Sequence, residues 1–461
     1  MHEVFCNLTL NRECIVADTP QGYLIITPDA LYSTILPLAE WKEKKGWHVT
    51  VARLSQIGSS ATDIKNYIAY KYTTDSIPPE YVLLVGDQNQ LPPAANAIPV
   101  SVTDYPYTLI QGNDFLAELL IGRLPAANAG EVTTMVNKII GYEQDPFVTD
   151  PSWFDRALMV AANYPIGIMT TPIPTKRWVR EKLWEYGFSV VDTVFYPPTT
   201  SGALIASAIN QGVLFVNYRG GDADPDGWIH PGFHNDDVTG LTNGWKLPVV
   251  TSIVCLNGNF GYSTCFGEAW LRAGNPTTPR GAVGFFGASA ATTSSRWNNC
   301  LDYGIYWGFL KDFINTLGPA LYRGKMEVFM NFPLDTTWYE GSSFYFHTYN
   351  LLGDPSLAVW TDAPDSFVVT HAATEPVGTN ALSVHVQNNS SQPVADAIVS
   401  LYKEDEVKEV TYTDAAGNAH FTFMTATEDT LFVTVTKANV KPYCGYCTVT
   451  NASVYVGYYN H

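Results

Sequence analysis

A cysteine delivered by an apolar run to a tight polar turn is the feature of this sequence best suited to chemistry. In Ser252-Ile-Val-Cys-Leu-Asn-Gly-Asn-Phe260, Cys255 follows small and apolar residues and precedes a Gly/Asn turn. That is the carboxyl end of a buried strand, where open α/β sheets bind ligands. A thiolate there attacks a carbonyl carbon if a base or positive surroundings lower its pKa; the same residue also reads as plain core packing. A neighbouring strand end, Val216-Asn-Tyr-Arg-Gly-Gly-Asp222, carries Gly220 and Gly221. Backbone N–H groups near Gly221 or Cys255 would hold an oxyanion. His230 and His234 follow in Trp228-Ile-His-Pro-Gly-Phe-His234. Either becomes a base for Cys255 if the loop folds back to within roughly 3 Å of the thiol, directly or through a water; otherwise both are solvated loop residues. Asp222, Asp224 and Asp226 alternate on the same loop. They offer calcium the oxygen ligands it favours, although without the EF-hand pattern, and they read equally as a solvated turn. No other cofactor is required.

The elements that position these residues follow from hydrophobic rhythm. From residue 22 to 362, short β-branched runs alternate with amphipathic stretches of helical length, as in parallel-sheet α/β domains. Strands are expected at Gly22–Thr27, His48–Ala52, Tyr81–Asp87, Glu118–Leu124, Ala157–Ala162, Val190–Phe195, Val213–Tyr218, Val249–Val254 and Ala282–Phe286. Asp29 is expected to cap a helix running to Lys45. Further helices are expected at Pro174–Tyr186, Gly202–Asn210, Cys265–Ala273 and near Asn298–Asn315. The turn-rich Gln144–Pro151 marks a seam, after which the rhythm restarts. At Pro364 the texture changes to six or seven short strands separated by Asn, Asp, Gly and Ser turns, the pattern of an immunoglobulin-like sandwich. The expected domains are an extension over 1–21, α/β subdomains over 22–148 and 149–362, and the sandwich over 364–461.

Composition narrows the partners. With 26 Lys+Arg against 44 Asp+Glu, the net charge of -18 disfavours nucleic acid and anionic membranes, which need clustered positive charge. The seven cysteines are scattered, and Cys444-Gly-Tyr-Cys447 has no second pair to complete a zinc site. It reads as a local disulfide or two free thiols. No apolar run is long enough to span a membrane. Met-His-Glu-Val-Phe-Cys at the start has no basic-then-apolar signal pattern; an extracellular or cell-surface location is expected, with any signal peptide outside this chain.

Several of these segments together resemble the gingipains, cysteine peptidases of family C25. The resemblance is carried by Val254-Cys-Leu-Asn-Gly-Asn-Phe260 with Cys265-Phe-Gly-Glu-Ala-Trp270, Asn217-Tyr-Arg-Gly-Gly221, Tyr81-Val-Leu-Leu-Val-Gly-Asp87, Ile121-Gly-Arg-Leu124 and Leu352-Gly-Asp-Pro-Ser-Leu357. It implies an α/β fold of two caspase-like subdomains with mainly parallel sheets, followed by the all-β immunoglobulin-like sandwich. It also implies Cys255 as nucleophile and Trp297 as a wall of the substrate pocket. The departures are specific. The family's Gly-His-Gly supplies the general base, and here Gly221 stands at the histidine position. Asn163 and Tyr164 stand where the base's acidic partner is expected. Two functions follow: a secreted cysteine endopeptidase acting on polypeptides, or an inactive pseudo-peptidase that binds or scaffolds proteins at a cell surface.

Overall fold

The computed structural model describes residues 20–94, 102–163, 171–221, 223–335 and 341–451. Its described residues fall into two compact units, one holding 22–38 and 50–363, the other holding 20–21, 39–49 and 364–451.

In chain order the strands of the α/β unit are β1 (Gly22–Thr27), β2 (His48–Arg53), β3 (Pro79–Val85), β4 (Leu120–Leu124), β5 (Arg156–Ala162), β6 (Val190–Tyr196), β7 (Phe215–Arg219), the two-residue β8 (Ala223–Asp224), β9 (Gly227–Trp228) and β10 (Phe233–His234), then β11 (Val249–Ile253), β12 (Gly284–Ala288) and β13 (Tyr349–Leu352). Ten of them form one sheet in the order β2-β1-β3-β4-β13-β12-β11-β7-β5-β6. β1, β3 and β4 are parallel to one another. So are β6, β5, β7, β11 and β12. β13 is antiparallel to β12 and parallel to β4, so strand direction reverses between the two halves. The sequence reads as two successive α/β subdomains; in the structure they share this sheet, joined where the chain returns to insert β13.

The second half is buried on both sides, which is why β7 and β11 carry no alternation of polar and apolar residues. The helix Ser295–Leu310 covers the face that displays Asn217, and the short helix Phe266–Arg272 lies on the face that displays Tyr218. A further helix, Leu317–Asn331, went unread because Gly318, Pro319 and Gly324 disguise it. Gly324 is needed where this helix crosses Ser295–Leu310: a Cβ there would lie 2.8 Å from the carbonyl oxygen of Leu301. Asp29 does not cap its helix. The helix starts at Tyr32 after a 3-10 turn, and the Asp29 carboxylate instead accepts from Ser55 N at 3.1 Å and Ser55 Oγ at 2.6 Å.

The β-rich unit contains β14 (Asp365–Thr370), β15 (Thr374–Pro376), β16 (Gly378–Asn388), β17 (Ile398–Lys403), β18 (Val407–Tyr412), β19 (Asn418–Thr425), β20 (Asp429–Lys437) and β21 (Val440–Thr450), in the order β18-β17-β20-β21-β14-β16-β19, with β15 on β21. None of its strands joins the ten-stranded sheet. β19 alternates buried and exposed residues, as a strand with one dry face must. Leu382 and Val384 of β16, Phe421 and Phe423 of β19, Val399 and Leu401 of β17 and Val433 of β20 meet in one core.

Cys444 and Cys447 are not joined to one another by a disulfide. Both lie on β21, and residues three apart on a strand point to opposite faces. Cys447 is buried, donates to the carbonyl of Ala372 at 2.9 Å, and is pushed up to about 11 by burial and by Glu375. Cys444 is exposed. Iodoacetamide at pH 8 should therefore spare Cys447 and the buried Cys265 in the folded protein and label both once urea is added. Mass-spectrometric mapping of the adducts checks this.

Candidate functional site

The site is built by a single parallel pairing. β7 lies beside β11 in a register that sets Arg219 opposite Ile253. Gly221 and Cys255 each come two residues after that pair, so both strands release their chain at the same level of the same edge.

Immediately after Cys255 the backbone turns hard. Leu256 has φ of 66°, and Asn257 N donates to Cys255 O at 2.8 Å, closing a γ-turn around it. A bulky residue with positive φ costs about 1–3 kcal/mol and persists only where its surroundings over-determine it. Those surroundings are visible. Leu256 N donates to Ala290 O at 3.1 Å and Gly258 N to Ala288 O at 2.9 Å. Gly258 passes so close to β12 that a Cβ would lie 2.3 Å from Gly287 O. Asn257 is fully buried and ties the turn to the loop above it, donating to Asp224 O at 2.8 Å and Gly227 O at 3.1 Å. Its Oδ1 accepts from Ser252 Oγ at 2.8 Å, and Ser252 Oγ accepts from Trp228 Nε1 at 2.9 Å. Trp228 in turn stacks on Tyr218, with ring centroids 4.3 Å apart.

The thiol faces a neutral network. Cys255 Sγ lies 3.3 Å from Thr293 Oγ1, which accepts from Asn298 Nδ2 at 2.9 Å. Asn298 Oδ1 accepts from Tyr349 Oη at 2.7 Å. A threonine hydroxyl can donate to a thiolate, but it cannot serve as a neutral-pH base. Deeper on the same face, Lys176 Nζ is bonded to Asp302 Oδ2, and Asp302 Oδ1 accepts from Asn217 Nδ2 at 2.9 Å. Both ions are fully buried, and burial draws Lys176 down to about 8 against the pull of Asp302.

Neither histidine meets Cys255: among the described residues no imidazole is hydrogen-bonded to its sulfur. His230 stacks on Tyr196 at the end of β6, centroids 4.5 Å apart and planes 12° apart, and its carbonyl accepts from Tyr218 Oη at 3.0 Å. His234 is 39% exposed in its side chain, with Nδ1 3.7 Å from Asp226 Oδ1. Asn163 Oδ1 accepts from Ile173 N at 3.2 Å, tying the start of helix Pro172–Tyr186; Tyr164 lies outside the described residues. Trp297 is 2% exposed, stacked on Tyr345 with the Arg296 guanidinium 3.9 Å from its ring centroid. Asp222 lies outside the described residues. The main-chain oxygens of Asp224 and Asp226 brace the loop, accepting from Asn257 Nδ2 at 2.8 Å and from Asn235 N at 3.0 Å. Among the described residues no group of three acidic, His or Cys side chains could hold a metal. Sequence reasoning missed Asn257, Thr293, Asn298 and the Lys176–Asp302 pair. Only Asn257 carried a readable signal, as the polar residue of a tight turn beside the cysteine.

Two consequences are measurable. Asn257→Ala leaves two carbonyls and the Ser252 hydroxyl without their partner and should cost about 2–4 kcal/mol in urea unfolding. Glu268, which begins the helix after the Cys255 turn, accepts from Cys265 N at 2.7 Å and pairs with Arg272 at 2.8 Å. Burial nevertheless raises its pKa to about 7 from an ordinary 4.5. The folded state then holds a proton that the unfolded state has lost. The stability this confers is complete below the unfolded value and disappears as pH rises through about 7. Glu268→Gln should flatten that part of the stability–pH curve.

The comparisons with known proteins agree with this fold. The model of peptidase family C25 matches residues 16–360. Gingipain R2 of Porphyromonas gingivalis is 27% identical over 383 residues, covering 80% of this chain and 50% of the relative. Lys-gingipain of the same organism is 25% identical over 413 residues, covering 82% and 23%. The chain thus spans about half the length, or less, of these curated relatives. The crystal structure of the Arg-specific cysteine proteinase gingipain R has the same fold, with a TM-score of 0.85 at 23% identity over 94% of this chain and 99% of that one. With a strand-edge cysteine, a shared fold and a family match over most of its length, the chain belongs to peptidase family C25, the gingipain-like cysteine peptidases.

Proposed function

We propose that this chain is a pseudo-peptidase of the gingipain type: it keeps the polypeptide-binding edge and the thiol but does not turn substrates over. The observation that carries this reading is the company Cys255 keeps. Its sulfur is partnered by Thr293, Gly221 stands where the base belongs, and His230 and His234 are engaged elsewhere. A positioned general base contributes about 10²–10⁴ in rate, so a thiol without one is a poor peptidase. The β-rich unit, whose strands bury alternate residues in one core, reads as an immunoglobulin-like sandwich. It supports a binding or scaffolding role for a protein partner at an extracellular or cell-surface location. Among the described residues no helix is long and apolar enough to cross a membrane.

The strained γ-turn that presents Cys255 at the sheet edge favours the second reading, a working endopeptidase. In that case the Cys255 thiolate adds to a peptide carbonyl, backbone N–H groups near Gly221 or Cys255 hold the oxyanion, and the thiol proton passes to the departing amine.

Fluorogenic peptide libraries and denatured protein substrates separate the two. The unaltered protein should show no cleavage that depends on Cys255, and Gly221→His should raise Cys255-dependent cleavage by about 10²-fold or more. Cleavage by the unaltered protein that disappears in Cys255→Ala would establish the endopeptidase and end the first reading.

A further inference from the structure

Arg219 is the last residue of β7 and is fully buried, yet among the described residues no carboxylate pairs with it. Nη1 donates to Gly220 O, so the guanidinium is drawn to the strand end rather than down the strand. Nε donates to Asn299 Oδ1 at 3.3 Å, on the helix whose Asn298 holds the Thr293–Cys255 contact. Nη2 is buried without any hydrogen-bond partner. Thr171 Oγ1 is buried and unpartnered as well, and it is linked to the same asparagine: Thr175 Oγ1 bonds both Thr171 O and Asn299 Oδ1. The helix locates the group relative to the thiol: Asn299 accepts from Arg219 Nε, and its neighbour Asn298 donates to Thr293 Oγ1, the partner of the Cys255 sulfur.

A water could satisfy the orphaned N–H, but it could not answer the charge. Lys176 and Arg219 are two buried cations, and Asp302 is bonded to Lys176, whereas among the described residues no carboxylate is bonded to Arg219. An uncompensated buried guanidinium is costly, and a planar carboxylate is the group whose geometry and charge match it. We propose that Arg219 is the specificity residue of this edge, with Nη2 binding the carboxylate of a polypeptide ligand, either an Asp or Glu side chain or a free C-terminus. The assignment rests on the polypeptide-binding reading above. It gives this chain an acidic ligand class, opposite in sign to the arginine and lysine for which its relatives are named.

The test is protection of Cys255 from iodoacetamide in the whole chain. The protecting ligands are N-acetyl-Ala-Ala-Xaa amides with Xaa as Asp, Glu, Asn, Gln, Arg or Lys, together with the free acid and the amide of N-acetyl-Ala-Ala-Ala. Isothermal titration runs in parallel. Asp or Glu should protect about 10- to 100-fold better than its own amide, the range of one charge-assisted hydrogen bond, and Arg219→Gln should erase the difference. Preference for the free acid alone would assign the C-terminus, and preference for Asp or Glu the side chain; each supports the proposal. Protection indifferent to charge, or best with Arg or Lys, overturns the role of Arg219 and leaves the binding edge standing, with a buried water satisfying Nη2. If no peptide protects Cys255, the polypeptide-binding reading falls and the Arg219 assignment falls with it. Should Arg219→Gln fail to fold, the acid-against-amide series on the unaltered protein decides the matter by itself.

Discussion

The parallel register between β7 and β11 is the constraint on which the site rests. Once Arg219 is paired with Ile253, Gly221 and Cys255 must leave the sheet side by side, whatever side chains they carry. Everything above the edge then serves to hold that exit. The Leu256 turn is strained, and the Asn257 amide, the Ser252 hydroxyl and the Trp228 indole fix it through buried hydrogen bonds. Such a network holds its shape only when every member is satisfied. The position of the cysteine is thus held by the fold itself, through contacts that involve no base.

The polar layer beneath the edge has a different character. On the face toward helix Ser295–Leu310, β7 places Asn217 and Arg219 where the interior of a parallel sheet is normally aliphatic. Lys176 and Asp302 hold one another there, and Asn217 fills a remaining lone pair of the carboxylate. Buried ions of this kind seldom add stability over a well-packed apolar substitute. Their presence immediately below a strand edge is better understood as preparation for a charged visitor than as glue.

Much of the fold was legible because parallel strands and their helices announce themselves by periodicity. β5, β7 and β11 were read within two residues of their observed ends. What escaped were elements whose identity is decided by tertiary contact. β13 is four residues long and exists as a strand only because β12 and β4 flank it. The helix Leu317–Asn331 hides behind glycines that its close crossing requires. Asp29 looked like a cap and serves Ser55 instead. At the site, the cysteine and both strand ends could be found from local sequence. The Thr293–Asn298–Tyr349 relay could not, since its members lie up to 94 residues from Cys255 in sequence and meet only in space.

The reversal of strand direction at β12 and β13 divides the molecule's freedom to change. Cys255 and Gly221 emerge at the carboxyl edge of β11 and β7, whereas the carboxyl ends of β1, β3 and β4 emerge at the opposite edge of the same sheet. The loop after β3 nonetheless reaches back to the turn that follows the thiol, where Gln88 Nε2 donates to Gly261 O at 2.8 Å; the chain after β1 and β4 has more room to change. Loops after β7, β11 and β12 have no such latitude, because any residue added there arrives beside the thiol. One continuous sheet thus carries two rims with unlike tolerance for insertion, linked where the loop after β3 meets the Gly261 turn.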